Sequence, residues 1–135
     1  DKVQSYKDLN DPEFTVVSKP GTTGEEAVQR LIPKATYVAV NTEIEGATLV
    51  LEGKADAFIY DYPFNAVFMV LNPSNQLVFL SEPFTNEPIA WAIRKNDPDF
   101  MKFLNEFLAR MKADGRFDKI YQKWFLSSEW HRFVR

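Results

Sequence analysis

An α/β fold with a largely parallel sheet, followed by a separate pair of helices, is predicted by three observations on this 135-residue sequence. Strand-like and helix-like segments alternate between residues 14 and 80, as in a layered α/β unit. The segments GTTGEE (21–26) and Tyr60-Asp61 both follow strand-like runs, and parallel sheets bind their ligands at strand carboxyl ends. Charge changes sign near residue 88: residues 1–88 hold 6 Lys/Arg against 13 Asp/Glu, a net of −7, whereas residues 89–135 hold 10 against 6, a net of +4. A change of structural unit is expected there.

Taken in order, SYKDLNDPEFTVV predicts a short helical turn ending near Pro12 and a strand over residues 14–17. GTTGEEAVQRLI reads as a helix stopped by Pro33, because an interior proline removes a hydrogen bond and clashes with the preceding turn. ATYVAV (35–40) is rich in β-formers. IEGATLVLEGKA is helical, with Ile44, Ala47 and Leu51 on one face and Gly53 as its stop. ADAFIY predicts a buried strand that delivers Asp61 at its carboxyl end, and YPFNAVFMVLN a helix beginning after Pro63. QLVFLS and EPIAWAIRK are expected to be two further strands. Phe100, Phe103, Leu104, Phe107, Leu108 and Met111 then form one helical stripe. After Asp114-Gly115, Phe117, Ile120, Tyr121, Trp124 and Phe125 form a second.

Composition narrows the function classes. Without cysteine there are no disulfides and no thiolate metal sites, and the single histidine, His131, argues against a histidine-based metal or triad site. The basic C-terminal residues are interleaved with acids and read as a solvated face, so no nucleic-acid partner is expected. No apolar run reaches the length of a membrane span, and no signal peptide is present; if the protein is exported, its leader lies outside these residues.

GTTGEE admits two readings. Thr22 and Thr23 each precede a glutamate by three residues, Glu25 and Glu26, which is the spacing of a capping box. Alternatively, the free amides of a helix start receive a negatively charged ligand group, with Gly21 and Gly24 allowing close backbone approach. Two first-turn glutamates argue against a phosphate, and no Lys-Ser/Thr pair follows the second glycine as a P-loop requires. Asp61 likewise reads either as a ligand carboxylate or as a helix N-cap before Pro63. Asp56, in the GKADA turn, reads as structural.

Four segments, VVSKPGTTGEEA, LEGKADAFIYD, EPFTNEPIAWAIRKNDPDF and KADGRFDKIYQKWF, resemble in order and spacing the second half of family 3 bacterial solute-binding proteins, the periplasmic amino-acid receptors of ABC importers. The resemblance covers roughly residues 3–125 and implies a type II periplasmic binding fold, in which two α/β lobes close over an amino acid. It implies that residues 1–84 form lobe 2, 85–95 the hinge and return strand, and 96–126 the closing helices of lobe 1; the tail, 127–135, takes no assignment.

The same resemblance implies the site. Gly21, Thr22 and Thr23 match the turn that meets the ligand α-carboxylate, Lys19 a pocket-lining position, and Asp61, with Tyr60 beside it, the aspartate that pairs with the α-ammonium. A carboxylate facing an ammonium is a strong charge-assisted hydrogen bond where water is excluded. The family's arginine clamp and aromatic shelf come from the first part of lobe 1, so half of a binding site is expected. The implied partners are a free amino acid, polar or cationic given the acidic lobe, and the membrane subunits of an ABC transporter. No cofactor, metal or catalytic residue is implied. The exposed helical stripes add the expectation of a homodimer through the C-terminal helices, or of helices folded back onto the lobe. Two alternatives share the fold. One is the ligand-sensing domain of a receptor or histidine kinase. The other is a cyclohexadienyl-dehydratase-like enzyme, for which Glu82 and Glu87, near the hinge, are the candidate acid or base.

Overall fold

The computed structural model describes residues 3–80, 83 and 85–127; Glu82, His131 and residues 128–135 of the tail lie outside them. The chain divides into two compact units, residues 1–86 and 87–135.

The first unit is built on a three-stranded parallel sheet. Strands β1 (Thr15–Ser18), β2 (Thr36–Ala39) and β3 (Ala57–Phe58) lie in the order β2-β1-β3. Val16 stands opposite both Tyr37 and Ala57. Pairing continues past the strand ends, where the Val40 amide donates to Ser18 and the Ile59 amide to Val17. Central β1 is covered on both faces, which is why its sequence, TVVS, does not alternate apolar with polar. Val16 packs with Leu9, Val28, Ile32 and Ile59, and Val17 with Val40 and Ala55.

Helices α1 (Thr23–Leu31), α2 (Glu43–Leu51) and α3 (Tyr62–Leu71) each follow a strand. Val28 of α1 joins the Val16 cluster, whereas Leu49 and Val50 of α2 join the Val17 cluster, so α1 and α2 cover opposite faces. Gly53, with φ of 67°, supplies the left-handed residue that ends α2. Asp56 is structural: its carboxylate accepts the Thr15 amide at 2.7 Å, and its own amide donates to the Thr15 carbonyl at 2.9 Å.

Two expectations fail. The described residues of QLVFLS and EPIAWAIRK form no strands. A β-prone sequence becomes a strand only when a neighbour completes its ladder, and no described segment does so here; Ile89 and Trp91 remain 86% and 59% exposed.

The second unit contains α4 (Pro98–Ala113) and α5 (Arg116–Tyr121), the latter running into a π-helical turn at Gln122–Leu126. Asp97 caps α4 by accepting the Phe100 amide, and Gly115, at φ of 77°, makes the break between the helices. Phe100, Phe103 and Phe107 stack along α4 with ring centroids 6.5 and 6.3 Å apart. No residue of either helix is buried.

Candidate functional site

Strand order places the candidate residues. From β1 the chain steps to β2 on one side and then crosses to β3 on the other. The carboxyl ends of β1 and β3 therefore border a topological switch point, the crevice in which open parallel sheets bind ligands. Lys19 and the Gly21–Thr23 turn leave β1; Tyr60 and Asp61 leave β3. The two exits are tied together by Ser18, which is fully buried and donates its hydroxyl to the Ile59 carbonyl at 2.8 Å.

At the β1 exit, Gly21 adopts φ of 73°, a conformation that strains any residue with a Cβ. Its amide donates to Glu25 Oε2 at 2.8 Å. Thr22 is the N-cap of α1: its hydroxyl donates to the Lys19 carbonyl at 2.7 Å and receives the Glu25 amide at 3.4 Å. The capping reading is therefore realised at Thr22, with Glu25 reaching back one residue further than a standard capping box. Gly24 has a steric reason of its own. A Cβ there would lie 2.8 Å from both the Ile59 carbonyl oxygen and Ser18 Oγ, so glycine lets α1 start against the strand ends. The amides of Thr22, Thr23 and Gly24 and the hydroxyl of Thr23 have no acceptor or partner among the described residues. Three such amides and a hydroxyl at a helix start can receive a carboxylate.

At the β3 exit, Asp61 occupies the N-cap position of α3, yet its side chain makes no capping hydrogen bond. Its exposed carboxylate has no partner among the described residues. The Asn65 side chain donates to the Tyr60 carbonyl at 3.1 Å, which fixes the turn without using the carboxylate. The Tyr60 ring stacks on Phe58 (5.6 Å) and meets Phe64 edge-on (5.4 Å), so it stands on a packed aromatic base.

Lys19 is not free. Its ammonium lies 3.1 Å from Glu43 Oε2, at the start of α2 beyond the carboxyl end of β2. The hydrogen bond and charge of Glu43 raise the Lys19 pKa, with a smaller contribution from Tyr60. Glu43 is held below its ordinary value by its own backbone amide and by Lys19. Glu43, Ser18 and Tyr37 were not singled out in the sequence. Tyr37 OH donates to Glu25 Oε1 at 3.0 Å, and burial, followed by that carboxylate, pushes its pKa up to about 12. No motif marks these contacts, which join residues 12 to 41 positions apart.

The family model for bacterial extracellular solute-binding proteins, family 3, matches residues 16–127. The glutamine-binding protein of an ABC transporter from Bacillus subtilis is 31% identical over 124 residues, covering 91% of this chain and 44% of the relative. Among solved structures, a Wolinella succinogenes protein assigned as the binding component of an ABC transporter, in complex with lysine, is 47% identical with a TM-score of 0.79; the match covers 96% of this chain and 56% of that one. An ancestral cationic amino-acid solute-binding protein is 40% identical (TM-score 0.82; 93% and 53% covered). An ancestral amino-acid-binding protein described as a precursor of cyclohexadienyl dehydratase is 39% identical (TM-score 0.70; 92% and 52% covered). The chain thus spans about half the length of the relatives it matches. It belongs to the bacterial extracellular solute-binding proteins, family 3, and its sheet with α1, α2 and α3 forms one α/β lobe of the type II periplasmic binding fold.

Proposed function

We propose that this chain carries half of the amino-acid site of a substrate-binding component of an ABC importer, acting in the periplasm or outside the cell. Residues 1–84 are assigned as the ligand-binding lobe, 85–95 as the return crossing and 96–126 as helices completing the other lobe. The reading rests above all on one juxtaposition at the switch point: Asp61, whose carboxylate has no partner among the described residues, leaves the strand adjacent to a helix start where three amides also lack an acceptor among them. An α-amino acid presents the complementary pair, an ammonium for Asp61 and a carboxylate for the amides of Thr22, Thr23 and Gly24. The Thr23 hydroxyl is available as a further donor, whereas the Gly21 amide and the Thr22 hydroxyl serve the turn. Lys19 and Tyr60 flank the ligand, whose side chain is polar or cationic.

With one lobe's contacts, the ligand remains open to water, and each polar contact contributes only about 1 kcal/mol net. The 135-residue chain should therefore bind lysine or glutamine in the millimolar range, with amide shifts at Thr23, Gly24 and Asp61 in a 1H–15N NMR titration, and Asp61→Asn should abolish those shifts. Undiminished binding by Asp61→Asn, or micromolar binding by the monomeric wild type, sinks the half-site reading. The enzymatic alternative is not favoured: Glu87 is exposed rather than enclosed, and a general acid or base must be held against its substrate. The apolar stripes of α4 and α5 suit a covering surface, either the rest of lobe 1 or another copy of this chain; sedimentation distinguishes a dimer from a monomer.

A further inference from the structure

The three strand ends do not carry equal charge. Beyond β1 stands Lys19, beyond β2 Glu43 and beyond β3 Asp61. Two glutamates occupy the first turn of α2, and they are used differently. Glu45 serves the helix: its carboxylate accepts the Asn41 amide at 3.0 Å, and its own amide donates to the Thr42 hydroxyl. Glu43 instead crosses from the β2 exit to the β1 exit and holds Lys19. Both partners are about one-third exposed, at 37% and 33%, so the pair faces solvent beside the switch point rather than the core.

Resting on the half-site reading above, we infer that Glu43 determines side-chain specificity, and that Lys19 is an internal stand-in for a cationic ligand side chain. When the α-amino and α-carboxyl groups are held at Asp61 and the 22–24 turn, a ligand ammonium or guanidinium displaces the Lys19 ammonium from Glu43. Exchange of one cation for another leaves Glu43 compensated throughout, and the Lys19 head group returns to water on its flexible stem. A neutral side chain finds Glu43 already neutralised and gains nothing there. An acidic one meets Glu43, with only Lys19 to offset it. The pair therefore sets a moderate preference for cationic amino acids and lowers its size below that of a bare carboxylate.

The test compares lysine and glutamine by NMR titration of the 135-residue chain. In Lys19→Met, the competitor is gone, and the preference for lysine over glutamine should rise about two- to fivefold, a range suited to a partly exposed ion pair. In Glu43→Gln the preference should fall by a similar factor, about two- to fivefold, with glutamine binding little changed. Glu43→Asp keeps the charge but shortens the reach, and should lie between wild type and Glu43→Gln; it also serves if Glu43→Gln does not fold. Glu45→Gln should weaken the α2 start and leave the ratio unchanged. If Lys19→Met and Glu43→Gln shift both ligands equally, or not at all, the specificity assignment is overturned while the half-site stands. If wild type binds neither ligand, the half-site reading fails and takes this one with it.

Discussion

Residues 1–86 and the α4–α5 pair were written with the same local grammar but met different fates. Each has capped helices, glycine at left-handed breaks and apolar residues at helical spacing. In the first unit those apolar faces close on a sheet, and every fully buried apolar side chain described lies between Leu9 and Ala66. In α4 and α5 no side chain is buried, and Phe103 remains 54% exposed within its own stack of rings. Capping and spacing fix a helix; burial requires a surface of matching shape, which these two helices do not supply to one another.

The contrast should appear most strongly in truncations. Ile32→Ala, at a position 1% exposed, should cost about 2–5 kcal/mol by urea denaturation followed by circular dichroism. Phe103→Ala removes a larger side chain and should change stability by no more than about 0.5 kcal/mol. A Phe103→Ala cost equal to that of Ile32→Ala would show that the α4 stripe is covered in solution, breaking the comparison.

Glycines sharpen it. Gly24→Ala places a Cβ against two oxygens of the strand ends and should cost about 1–3 kcal/mol, with loss of the amide shifts on ligand addition. Gly115→Ala meets nothing within 4 Å, so only its φ of 77° is strained, at about 1–2 kcal/mol and with ligand shifts intact. A change in ligand response from the Gly115 variant would deny that the two glycines do separate jobs.

The smallest effect concerns Tyr37, a phenol on an edge strand. Burial and the Glu25 carboxylate raise its pKa to about 12, so the folded state keeps this proton longer than the unfolded chain does. Its contribution to stability is complete below pH ~10 and is lost as pH rises through about 12, because the unfolded chain then gains by releasing the proton first. An alkaline titration followed by ultraviolet absorbance should lose its step near pH 12 in Tyr37→Phe. A missing step at the ordinary phenol pKa would mean that the first unit does not enclose this ring.

By itself the sequence determined the alternation of elements, because each depends on neighbours a few positions away. Pro33 stops α1, Gly53 ends α2, and Gly115 separates α4 from α5. It also placed Thr23 and Asp61 at strand exits, since motif order is a one-dimensional fact, whereas the adjacency of those strands is not. QLVFLS and EPIAWAIRK show where such reading stops: β propensity is local, but a ladder needs a second strand. Only the tertiary structure decided that Thr22 and the Gly21 amide serve their own turn, that Asp61 leaves its cap unmade, and that Glu43 holds Lys19. Those outcomes are competitions between partners brought together by strand order, and a side chain's nearest charge across a sheet is not its neighbour along the chain.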